Sequence, residues 1–160
     1  MIRILLTLQL LLWASLAQAQ GTTYETSDGY YSPQITSTES FDRVLVNTPP
    51  ADKKVRIDFV NSATRASLAS AAAPQFIFFA KGDDAEKLYV IAVNDDVFKT
   101  IYRARAVLAR ITSTLRANNF LANLGLQNEG TFFDLLQMMH FKTLVISDGE
   151  KWAHEVSLER

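Results

Sequence analysis

Between Val97 and Leu115 the apolar side chains Val97, Ile101, Ala104, Leu108, Ile111 and Leu115 return every three or four residues. That spacing lays them along one side of an α-helix of about five turns. Asp95 or Asp96 suits its N-cap, because a short acidic side chain accepts from the first free amides. A helix with one apolar stripe must bury that stripe against something. The remaining pattern says what.

Upstream the period is two. Val55, Ile57 and Phe59 alternate with Arg56 and Asp58, which predicts a strand with one buried face. Arg43 to Val46 predicts another, and Pro49-Pro50 lies in the interruption between them, so the two make a hairpin. Asn61 to Ala73 is small and weakly polar: a short helix (Thr64 to Ala72) or a loop, closed by Pro74. Phe76-Ile77-Phe78-Phe79 is apolar on both faces, as a central strand is. Beyond the turn Lys81 to Glu86, Lys87 to Val93 returns, completing a four-stranded antiparallel meander.

Downstream of the long helix, Gly125 fits the left-handed end of a short helix starting near Asn119. Thr131 and Asp134 have the spacing of a capping box, opening a helix to about His140. Thr143 to Ser147 predicts a strand and Asp148-Gly149 a turn. Lys151 to Leu158 predicts the last strand, with Trp152, His154, Val156 and Leu158 on one face. Strands, then helices, then a hairpin point to an α+β fold with helices packed on one face of an antiparallel sheet. Phe78 and Leu108 are expected in its core.

The N-terminus reads as a secretory signal. Arg3 supplies the charged start, Ile4 to Ala14 the apolar run, and Ala17-Gln18-Ala19 the small-x-small cleavage pattern. The run is too short to span a bilayer, so no transmembrane span is expected after cleavage. The expected organisation is residues 1–19 signal, 20–40 an extended mobile arm rich in Ser, Thr, Tyr and Gly, and 41–160 a single domain. Within the arm, Tyr30, Tyr31 and Ile35 are the residues suited to pin its second half to the domain.

The chain has no cysteine, which removes disulfides, thiolate metal sites and a cysteine nucleophile. An exported domain without disulfides fits a bacterial periplasm. Without Arg3 the balance is 15 basic against 17 acidic residues, which argues against nucleic-acid or membrane-surface binding by overall charge.

Local charge is different. The long helix carries Lys99, Arg103, Arg105, Arg110 and Arg116, with no acidic residue from Val97 to Ala117. Solvated helices usually mix signs, because opposite charges four apart stabilise them. Lys99, Arg103 and Arg110 share one stripe; Arg105 and Arg116 share a neighbouring one. Either these cations form a binding face for an acidic partner or anion, or they pair with acids elsewhere, such as Asp83, Asp84, Glu86 or the arm.

Other chemistry is sparse. His140 sits at a helix end, and His154 points away from its neighbour Glu155, because adjacent strand residues face opposite sides. Two such histidines make no zinc site. Gly82 to Glu86 and Asn94 to Asp96 are acidic but lack the spacing of a calcium loop. The chain carries no nucleophile elbow, Walker loop or dinucleotide fingerprint. No catalytic residue, metal or cofactor is expected.

Phe78-Phe79-Ala80-Lys81-Gly82-Asp83, the run Asp96 to Ala109, Thr131-Phe132-Phe133-Asp134-Leu135-Leu136, and Ile146-Ser147-Asp148-Gly149 with His154 together resemble a family of small exported proteobacterial proteins. The similarity covers most of the chain beyond the signal. That family has no settled function, and its members sometimes carry the label of molybdopterin-guanine dinucleotide biosynthesis protein A. The resemblance implies export and a domain of this size, and carries over no catalytic residue. The expected function is therefore a periplasmic, non-catalytic accessory or interaction protein. Its partner would be an acidic protein, or a membrane or redox complex, docked on the basic helix. A small anion-binding domain is the alternative, and an enzyme of molybdenum-cofactor chemistry the third reading.

Overall fold

The computed structural model describes residues 33–43, 51–93, 97–126 and 129–158. The expected signal, most of the arm, the core of the first expected strand (Val44 to Val46), Pro49-Pro50 and the expected Asp95 and Asp96 caps lie outside them.

Among the described residues five strands form one sheet: β1 (Ser37–Ser40), β2 (Phe76–Lys81), β3 (Lys87–Ala92), β4 (Thr143–Ser147) and β5 (Ala153–Ser157). Their order across the sheet is β1-β5-β4-β3-β2. β2 with β3 and β4 with β5 are antiparallel hairpins, whereas β3 with β4 and β1 with β5 are parallel. The described helices are α1 (Lys53–Leu68), α2 (Ile101–Ala117), α3 (Phe120–Asn123) and α4 (Phe132–Met138). The fold is α+β, with the helices on one face of the sheet and the C-terminal hairpin in place. The pairing is mixed because α2, α3 and α4 all lie between β3 and β4. A connection of that length lets the chain cross over and return parallel, which a tight turn cannot do.

Three expectations are corrected. Val55 to Phe59 is helix, the second turn of α1, and not a strand. Asp52 caps that helix by accepting from Val55 N, and Arg56 and Val60 are its buried residues, four apart. Phe59 and Ala63 extend the same stripe into the core, while Val55 and Ile57 remain exposed. The apparent alternation was thus two solvent-facing apolar residues beside a genuine helical stripe. With it goes the meander: of its four strands β2 and β3 are present, the second is helix, and the first lies outside the described residues except for Arg43, which is in coil. Third, the long helix begins at Ile101, with Thr100 as N-cap accepting from Arg103 N. Phe98, just before it, is fully buried and plugs the core from outside the helix.

The core lies between sheet and helices. Phe78 of β2, Leu88 and Val90 of β3, Leu144 and Ile146 of β4 and Val156 of β5 meet Ala104 and Leu108 of α2, Leu121 of α3, and Phe132, Leu135 and Leu136 of α4. The opposite sheet face carries a smaller cluster of Tyr89, Val145 and Ala153, joined by Ile35 and Ile91. Lys81 Nζ lies 4.9 Å above the Tyr89 ring.

Helix ends follow the local sequence. Thr131 and Asp134 form the expected capping box, and Asp134 is fully buried. Its Oδ2 accepts from Thr131 N and Oγ1, both at 2.7 Å, and from Arg43 Nη1 at 3.3 Å. After α3, Gly125 N donates to Ala122 O and Leu126 N to Leu121 O, with Gly125 at φ +78°. After α4 the same pair of bonds recurs, His140 N to Gln137 O and Phe141 N to Leu136 O, with His140 at φ +59°. Both are the paired C-terminal bonds that satisfy the last carbonyls of a helix.

Arg56 joins three segments. Its buried guanidinium donates to Asp84 O at 2.9 Å, Ala51 O at 3.1 Å and Met139 O at 3.2 Å. It thereby ties α1 to the β2–β3 turn and to the end of α4.

Candidate functional site

The long helix brings two of its five cations to one groove. Arg105, Leu108, Ala109, Thr112, Ser113 and Arg116 line one side of a groove of about 430 Å³, with Thr131 and Phe133 of the α4 start and Glu39 of β1 opposite. Those six α2 positions recur at helical spacing because they form one flank of the helix, beside its buried stripe. Leu108 and Phe133 supply an apolar floor. Thr112 Oγ1 accepts from Phe132 N at 3.1 Å, so this hydroxyl also fixes the start of α4 against α2.

At one end of the groove, Arg105 Nη2 donates to Glu39 Oε2 at 2.6 Å. Glu39 Oε1 lies 3.3 Å from His154 Nε2. The other imidazole nitrogen, Nδ1, is in hydrogen-bond contact with the exposed Ser37 hydroxyl at 2.8 Å. His154 is only 3% exposed and stacks on Trp152, with ring planes 14° apart. The row Ser37, His154, Glu39, Arg105 thus runs from β1 through β5 and back to α2. Partial burial pushes the Glu39 carboxyl up, but Arg105 and His154 outweigh it and hold the group below its ordinary value. The row keeps a carboxylate ionised at the groove end and pins β1 to the rest of the fold.

At the other end, Arg116 Nε donates to Gly130 O at 2.9 Å. Arg110, on the far flank, donates to Gln75 Oε1 at the start of β2. Lys99 and Arg103 are exposed around the helix start, and each is engaged in an interaction of its own. The five cations therefore divide as the helical spacing divides them: Arg105 and Arg116 in the groove, Lys99, Arg103 and Arg110 away from it. Of the acids named as internal partners, the arm supplies Glu39 to Arg105, whereas Asp83 and Asp84 lend their backbone oxygens to Lys53 and Arg56 of α1. Glu86 accepts from Asp84 N at 3.0 Å within its own turn.

Glu39, Ser37 and His154 were not among the site residues that the sequence suggested. Glu39 sits in a stretch without period, and nothing local marks it as the partner of residues 66 and 115 positions away. Glu155 does turn to the other sheet face, opposite Val145. Among the described residues no group of three or more His, Asp or Glu is placed to hold a metal ion. No described helix is long and apolar enough to cross a membrane. In comparisons with known proteins, no family model, curated protein or solved structure matches this chain.

Proposed function

We propose that this chain is an exported, non-catalytic interaction protein of the periplasm that docks an acidic protein partner on α2. The observation that carries this reading is the fate of the helix charges. Arg110 and Arg116 bond to neutral oxygens, of Gln75 and Gly130, which position the guanidinium groups without cancelling their charge. Arg105 has a carboxylate partner, but its own side chain is 59% exposed, which leaves its guanidinium open to a second acid from solvent. A helix that presents cations in this way attracts a partner of opposite sign.

The test uses a partner captured from solubilised membranes, identified, purified and re-bound. Binding should weaken as salt rises, since exposed charges are screened beyond about 8 Å at physiological ionic strength. Two double reversals probe the two stripes: Arg103→Glu with Arg110→Glu, and Arg105→Glu with Arg116→Glu. Loss of binding in either, with the melting temperature nearly unchanged, supports docking on α2. Salt-independent binding that survives both reversals rejects it.

A further inference from the structure

β1 is an edge strand: among the described residues β5 is its only strand neighbour. Its sequence is Ser-Thr-Glu-Ser, and every residue but Glu39 is exposed. Phe41 N donates to Ser157 O at 2.9 Å, towards β5, and Leu158 N donates to Lys142 O, away from β1. With Ser40 beside Ser157 in the parallel register, Ser37 and Glu39 turn to β5 in the same way as Phe41, because backbone groups alternate in direction along a strand. Thr38 and Ser40 then turn their N–H and C=O groups to the outer side. An outer side of this kind is a template for one more strand.

The α2 groove lies along this edge, because Glu39 of β1 is part of its wall. Arg105 and Arg116 are eleven positions apart on the helix, about 16 Å at 1.5 Å per residue. A strand covers that distance in about five residues. Among the described residues the groove thus offers unpaired backbone groups and one carboxylate on the β1 side, and two guanidinium groups on the α2 side. Its floor between them is apolar. Each part recognises a different property of the same object: an extended backbone, acidic side chains, and alternate apolar ones.

We infer that the groove takes an acidic protein segment in extended form, added to the outer side of β1 as a sixth strand. Main-chain bonds to Thr38 and Ser40 hold its backbone. Its acidic side chains on the helix side reach Arg105 and Arg116. This inference rests on the reading that α2 docks an acidic partner, and adds where and in what conformation.

The probe is a capped hexapeptide of alternating Glu and Val, titrated into the full folded chain and followed by amide NMR and calorimetry. Two control peptides accompany it, one with Lys in place of Glu and one N-methylated at alternate backbone positions. Saturable binding is expected, with the Thr38 and Ser40 amides gaining protection from hydrogen exchange. N-methylation, the Lys exchange and Arg105→Glu with Arg116→Glu should each weaken binding at least tenfold.

Absence of saturable binding by the Glu peptide overturns the inference. So does binding that N-methylation leaves unchanged or that brings no protection at Thr38, although docking on α2 then survives. Binding lost only on reversal of Arg103 and Arg110 moves the partner to the other stripe, with the same consequence. A concentration-dependent dimer of the peptide-free chain that protects the same amides gives the edge to a second copy and also overturns it. The N-methylated peptide keeps the test valid should the reversed chain fold poorly.

Discussion

Arg56 is the residue on which most separate pieces of the fold converge. It is charged, yet only 6% exposed, and it donates to the backbone carbonyls of Asp84, Ala51 and Met139. Replacing it with Met keeps much of the side-chain volume and leaves those carbonyls without their donor. Hydrogen bonds to a charged group contribute about 1.5–3 kcal/mol, so Arg56→Met should lower the unfolding free energy by about that much. Urea titration followed by circular dichroism reads the change; a loss below about 0.5 kcal/mol, a surface-like value, would refute the staple. The sequence showed an arginine in an alternating run and suggested a solvent-facing strand position. Its three acceptors come from segments that only the folded chain brings together.

Asp148 gives a second prediction at this scale. Burial pushes its carboxyl up, but amides of Trp152, Glu150 and Lys151 donate to it and hold it below its ordinary 3.8. A carboxyl depressed in the folded chain contributes stability above its unfolded value and loses it as pH falls through the folded one. The contribution is therefore complete above about pH 5, declines from about pH 3.8 downward and is gone only once pH has fallen through the lower folded value. Asp148→Asn keeps an oxygen for the amides but removes the titration. The melting temperature of this variant should fall less steeply between about pH 5 and pH 2.5 than that of the parent, with Glu39 supplying part of the slope that remains. An unchanged slope would show that the turn does not hold the carboxyl in this way.

Among the elements, those with local signals were legible. The capping box, Gly125, the strand Thr143 to Ser147 and the turn at Asp148-Gly149 are set by neighbours within a few residues, and each is where the sequence put it. α1 was not, because five residues of alternation outvoted a helical stripe whose buried members include an arginine. The end of α4 offers a prediction of its own. His140 takes the left-handed conformation that completes the paired bonds after the helix, where glycine has no steric cost. His140→Gly should raise stability by about 0.5–1 kcal/mol, read as a higher melting temperature. A decrease would mean that the imidazole contributes more than its backbone strain costs.

On the scale of the molecule, the class of the fold could be read and its wiring could not. Block order and helix period give α+β. Which strands neighbour one another depends on contacts between residues far apart in sequence, which no local period encodes. The same division runs through the site. The cations of α2 stand out as a run of like charge, whereas Glu39, which borders the groove, became visible only once β1 had been placed beside β5.

That placement also orders events in time. β1 precedes every other described element, and its strand partner among the described residues comes last, at residues 153–157. While the chain is being made, β1 emerges early, and more than a hundred residues follow before that partner is complete. The hairpin of β2 and β3 and the α2 helix need no such delay, since their contacts are local and local contacts form fast. Closure of the β1 edge is thus the late step of assembly. The Ser37, His154, Glu39 and Arg105 row, and the groove end that depends on it, exist only after that step. An unfinished copy of the chain carries the basic helix but no finished groove, and so is set apart from a completed one before any partner is met.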